Sequence, residues 1–114
     1  MSVNSTTGTL NAALTVNLAD VTIAGPNAAS KERVVSLSFG NVNAPGGASG
    51  YVDIATTEGG VDFYGLGRNV EVAPGKPQIL QEILVRQGTT LRFRASAANT
   101  VHIHAEWIEQ TVTA

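Results

Sequence analysis

A chain of 114 residues suits a single domain, and its formal net charge of −2, with no basic run, offers no field to hold nucleic acid or an anionic membrane. Charged residues make up 14% of it, against roughly 25% in an average globular protein, so much of the surface is neutral and suits packing against other proteins. Cysteine is absent, which excludes disulfides, thiolate metal sites and cysteine nucleophiles and favours cytosolic synthesis.

Met1 to Ala12 is rich in Ser, Thr, Asn and Gly and poor in apolar anchors. It reads as a flexible N-terminal arm over 1–12, ahead of a folded domain over 13–114. The arm lacks the basic-then-apolar order of a secretion signal, and no apolar run approaches the ~20 residues of a membrane span. Leu14 to Ala24 is a first strand region, with Val21 and Ile23 on one face, and Gly25-Pro26-Asn27 breaks it. Ala28 to Arg33 reads as a loop or a single turn. Arg33 to Asn41 alternates, with Val35, Leu37 and Phe39 on one side and Val34, Ser36 and Ser38 on the other.

Asn43 to Gly50 is a loop by composition. Tyr51 to Thr57 aligns Val52, Ile54 and Thr56, and Glu58-Gly59-Gly60 turns it into a hairpin partner, Val61 to Tyr64. Gly65-Leu66-Gly67-Arg68-Asn69 reads as a bend before Val70 to Val72, and Ala73 to Pro77 as a corner. Three strand patterns close the chain: Ile79 to Val85, Thr89 to Ala95 and Val101 to Trp107. Apolar residues at every second position give each a single apolar face, as a half-buried antiparallel sheet requires. Seven or eight short strands without helical periodicity predict an all-β, single-domain antiparallel β-sandwich of jelly-roll type. Shared parity assigns Val35, Leu37, Phe39, Val52, Ile54, Ile83, Val85, Leu91, Phe93, Ile103 and Trp107 to the core. Leu80 and Leu84 fall on the opposite face from Ile83 and Val85. Most of the aromatics, Tyr51, Tyr64, Phe63 and Trp107, read as core.

His102 and His104 are the only histidines, and alternation puts both on one strand face roughly 6.5–7 Å apart, with Glu106 continuing that face. Two imidazoles and a carboxylate are metal-ligand types. The competing reading buries Val101, Ile103, Ala105 and Trp107 and leaves the two histidines and Glu106 on the surface or at a subunit contact. With no other histidine or cysteine available, a monomer is expected to hold no metal. Three copies on one axis would triple the ligands, and His102 and His104 are metal candidates only there. No cofactor is implied. Gly65-x-Gly67 lacks the third glycine and helix of a dinucleotide loop. Asp53, Asp62 and Glu58 flank Gly59-Gly60 and are of the type that gathers calcium, although hairpins expose acids routinely. Arg92 and Arg94 share a strand face and are expected to pair across it with Glu82 or Glu106.

The run Val70-Glu71-Val72-Ala73-Pro74-Gly75, followed by Ile79-Leu80-x-x-Ile83-Leu84-Val85-x-x-Gly88-x-x-Leu91-Arg92-x-Arg94-Ala95-Ser96-Ala97-Ala98-Asn99 and ending in Glu106 and Glu109, is similar to small virion proteins of tailed bacteriophages. These are short, cysteine-free β-sandwich chains, and the likeness covers the C-terminal half as a pattern of strands and turns. It implies a non-enzymatic structural role in the virion, foremost a capsid decoration or cement protein that stabilises the assembled shell. The alternatives are a neck, tail or fibre module that binds host surface glycans and, more remotely, a cupin-like metal enzyme. Expected partners are the major capsid protein or other virion proteins and further copies of the chain, with synthesis in the host cytoplasm and residence in the virion. Asn4, Thr6, Leu10, Arg92, Arg94, His102, His104 and Glu106 are the interface candidates.

Overall fold

The computed structural model describes residues 6–112 and arranges them in eight strands: β1 (Thr6–Ala13), β2 (Val21–Ala24), β3 (Lys31–Asn41), β4 (Gly50–Glu58), β5 (Val61–Val72), β6 (Gln78–Arg86), β7 (Thr89–Ala95) and β8 (Val101–Thr111). Their pairing is nested: β4 lies against β5, β3 against β6, β2 against β7 and β1 against β8, all antiparallel. A long hairpin gives this order when it doubles back at Gly59-Gly60. Both glycines there have positive φ, 60° and 80°, between the paired Glu58 and Val61. A two-residue turn of that kind matches the right-handed twist of its strands, and only residues without a Cβ adopt it freely. Lateral pairing of β8 with β3 and of β7 with β4 then folds the hairpin into two four-stranded sheets, β1-β8-β3-β6 and β2-β7-β4-β5. This is the jelly-roll sandwich that the spacing of strands predicts.

The core lies where the alternating runs of the two sheets meet. Val35, Leu37, Phe39, Val85, Val101, Ile103 and Ala105 face Val21, Ile23, Val52, Ile54, Val72, Leu91, Phe93 and Ala95, and all are buried. Phe39 of the first sheet meets Phe93 of the second at 5.9 Å between centroids, tilted by 59°, and burying each large apolar side chain contributes ~1.5–3 kcal/mol. The sheets join at a tight corner after β1. Leu14, itself buried, donates its N–H to Val101 of the first sheet at 2.9 Å, while the Thr15 carbonyl accepts the Ala95 N–H of the second at 2.8 Å.

Several local expectations need correction. Residues 6–12, expected within a flexible arm, form most of β1, because each finds a partner on β8 in unbroken register from Thr6–Glu109 to Ala13–His102. Residues 1–5 lie outside the described residues. The first strand region shrinks to Val21–Ala24, with Leu14 to Asp20 a loop tied by the Thr15 and Asn17 side chains. The bend at Gly65 to Asn69 is absorbed into one strand, β5, whose register against β4 slips twice, with Asn69 left-handed at φ 54°. Strand β6 is bulged too: Val35 faces Ile83 but Leu37 faces Leu80, and Glu82 (φ 58°) takes up the extra residue. The bulge breaks the period of two, so Leu80 joins Ile83 and Val85 on the core side and leaves Leu84 exposed. Ile83 and Trp107 pack on the core from its rim and are half-buried. Among the aromatics, Phe63 and Tyr51 are exposed and Tyr64 is half-buried, since all three lie on outward or edge positions of β4 and β5.

Candidate contact face of the first sheet

Antiparallel register places the outward side chains of β6, β3, β8 and β1 in rows that cross the sheet. One row runs Leu84, Val34, Ile108, Thr7, and the next includes Ser36, Glu106 and Thr9. Beyond them come Ile79, Ser38, His104 and Asn11, and then Gly40, His102 and Ala13. Leu84 is 55% exposed, Ile108 48% and Ile79 60%. Short side chains on β1 and β3 leave two open depressions that follow one another along the strands, each crossing β1, β8 and β3. One is lined by Asn11, Ala13, Ser38, Gly40, His102 and His104, and the other by Thr7, Thr9, Val34, Ser36, Glu106 and Ile108. The face is broad, shallow and weakly charged.

The histidines stand on this face, pointing away from the packed interior. His104 is fixed: its Nδ1 lies 2.6 Å from Asn11 Oδ1 and its Nε2 3.1 Å from Glu106 Oε1, so it ties β8 to the edge strand β1. His102 stands exposed beside it. Among the described residues no group of three or more metal-ligating side chains gathers, here or around Gly59-Gly60.

The remaining candidates scatter. Asn4 lies outside the described residues. Thr6 and Leu10 are on β1, opposite Glu109 and Ala105 on the inward side. Arg92 and Arg94 are on the other sheet altogether, since β7 pairs with β2 and β4, so the expected ladder to Glu82 or Glu106 does not form. Arg94 Nε instead donates to Asp53 Oδ2 at 2.7 Å, and Asp53 Oδ1 accepts the N–H of left-handed Asn69, also at 2.7 Å. Burial pushes the Asp53 carboxyl up, but the Asn69 amide and the Arg94 guanidinium outweigh it and hold the group below its ordinary range. The same face stacks Arg68 on Tyr64 at 4.5 Å and bonds Thr57 to Asp62 at 2.5 Å.

Sequence reasoning missed Arg33. Its Nε pairs with Glu109 at 2.9 Å, its Nη1 donates to the Ala24 carbonyl of the opposite sheet at 2.5 Å, and its guanidinium lies 5.6 Å from the Trp107 ring. It closes one end of the sandwich. An arginine on the apolar parity of an otherwise alternating strand was the available signal. Gly8 completes that end: a Cβ there would fall 2.3 Å from the Trp107 indole, so only glycine lets the ring lie across β1. No known protein family, curated protein or solved structure matches this chain.

Proposed function

We propose that this chain is a non-enzymatic structural protein of a bacteriophage virion, foremost a decoration or cement protein of the capsid, which docks through the outer face of its first sheet. The observation that carries the reading is the row of Leu84, Val34 and Ile108, exposed at Leu84 and Ile108 and half-buried at Val34, on a broad, weakly charged surface, in a sandwich whose interior is filled by side chains. Such a surface offers contact area rather than a reaction chamber. A protein that binds only the assembled shell stabilises it by linkage, and repetition over a symmetric shell adds avidity to modest single contacts. The partners in this reading are the major capsid protein or a neighbouring virion protein, and the site of residence is the particle.

The test is sedimentation of the purified protein with purified shells and, separately, with unassembled capsid subunits. Saturable binding to shells alone, together with a raised temperature of shell disruption, supports the reading. Equal binding to free subunits, or none to shells, rejects it.

A further inference from the structure

The four sheet edges of the sandwich are not alike. β2 is only four residues long. β5 slips register twice, and β6 carries the Glu82 bulge together with the charged Glu82 and Arg86. Short length, bulges and charge are the devices that stop a sheet edge from pairing with another chain. β1, Thr6–Ala13, has none of them: its sequence TTGTLNAA holds no charge and no proline, and its register with β8 is unbroken. Its other side has no strand partner among the described residues.

The direction of its backbone groups follows from the corner. Leu14 turns its N–H to Val101 and accepts the Asn99 N–H on the same side. Because amides alternate along a strand, the even-numbered residues of β1 bond β8, and Thr7, Thr9, Asn11 and Ala13 direct their N–H and C=O groups outward. Beneath this edge Leu10, Ala12 and Trp107 are only half-buried on the core side. The short β2 of the facing sheet leaves that margin thinly covered.

We infer that β1 pairs antiparallel with β1 of a second copy about a twofold axis through Leu10, joining two first sheets into one continuous sheet. In this register Thr7 bonds Ala13 of the other copy and Thr9 bonds Asn11, so every outward backbone group of the four residues finds a partner. The parity is self-consistent: Leu10 meets its own counterpart and Gly8 meets Ala12 on the inward side, which covers the half-buried margin. The absence of charge on β1 means that no like charges face each other across the axis. A second copy is favoured over a foreign strand because the match in register and chemistry is already complete within this one sequence. The inference stands on the edge itself and does not need the virion reading.

Sedimentation equilibrium of the whole protein over a dilution series tests it, alongside two variants. Thr9→Pro removes an outward N–H that the β1–β8 ladder does not use, so a folded protein is expected, since proline is accepted at an edge facing solvent. Self-association should weaken by about thirtyfold, from two lost hydrogen bonds across the twofold. Leu10→Cys introduces the sole cysteine at the axis, in a non-hydrogen-bonded pair whose Cα atoms lie ~4.5 Å apart, within disulfide reach under mild oxidation. The expected result is a dimer that dissociates on dilution, is weakened by Thr9→Pro, and is cross-linked by Leu10→Cys but not by Thr9→Pro/Leu10→Cys. A wild-type protein that stays monomeric at the highest concentration, or a dimer of unchanged strength in a folded Thr9→Pro protein, overturns it. Loss of shell binding with the dimer intact would count against the proposed function alone.

Discussion

The two outer faces of the sandwich are finished differently. On β2-β7-β4-β5 a set of outward polar groups is paired: Arg94 and the Asn69 amide share Asp53, Thr57 holds Asp62, and Arg68 lies on Tyr64, while the buried Arg92 Nε has no partner among the described residues. On β1-β8-β3-β6 polar pairs form as well, His104 with Asn11 and Glu106 and Glu32 with Arg86 and Gln110, but the aliphatic side chains of Leu84, Ile108 and Ile79 stay largely exposed. One face spends its side chains on the stability of its own sheet. The other adds to its own polar pairs an exposed aliphatic row, which contact with an outside surface would cover under the proposed function. Under the proposed function, this contrast separates residues that serve the fold from residues that serve contact, and substitutions should sort accordingly.

The largest effect is expected inside the first sheet, where stability and contact meet. Gly8→Ala drives a methyl into the Trp107 ring and should cost ~1–3 kcal/mol, seen as a lower melting temperature with altered tryptophan fluorescence. An unchanged melting temperature would mean that the ring does not depend on Gly8. Next comes the paired set on the second sheet: Asp53→Ala removes the acceptor of both Asn69 and Arg94 and should cost about 1 kcal/mol or somewhat more. The sign of its pH dependence is fixed by its lowered folded value. The contribution is fully present above the ordinary carboxylate range and is lost as pH falls through the folded value. Stability of Asp53→Asn should therefore fall less steeply with acid than that of the wild type, and parallel curves in acid denaturation would exclude this role.

Leu84→Lys and Ile108→Lys should change stability by no more than about 0.5 kcal/mol, as exposed substitutions do. A large loss in chemical denaturation would show that the row belongs to the fold and not to contact. Smallest of all is the effect expected at the histidines in the monomer. Elemental analysis should find no stoichiometric metal there, with or without His102→Ala and His104→Ala. Metal bound by a demonstrated monomer would revive the enzyme reading.

The sequence made the interior legible wherever a strict period of two holds. Val35, Leu37, Phe39, Leu91, Phe93 and Ile103 needed only parity, and the strand count was enough for a jelly-roll sandwich. Parity failed where the backbone inserts a residue. The Glu82 bulge moves Leu80 inward, and the slips of β5 carry a strand through Gly65 and Gly67, which read locally as a bend. β1 was illegible for another reason: its Gly, Asn and Ala are weak strand formers and Leu10 is its one large apolar residue, so its extended form comes from the ladder that β8 supplies. Of the candidate contact face, the outward step of His102, His104 and Glu106 was readable within one strand. Its union with Val34, Leu84 and Asn11, and its separation from Arg92 and Arg94, are properties of sheet order, which local pattern does not encode.

The central claim is that contact belongs to the first sheet and not the second. The most direct measurement is particle binding by two exposed-site variants, Ile108→Lys on the first outer face and Tyr51→Lys on the second, each first shown to fold. The account predicts that Ile108→Lys binds at least about tenfold more weakly, as burying an unpaired charge in a contact would require, while Tyr51→Lys binds like the wild type. Undiminished binding by Ile108→Lys, with loss in Tyr51→Lys, would contradict it.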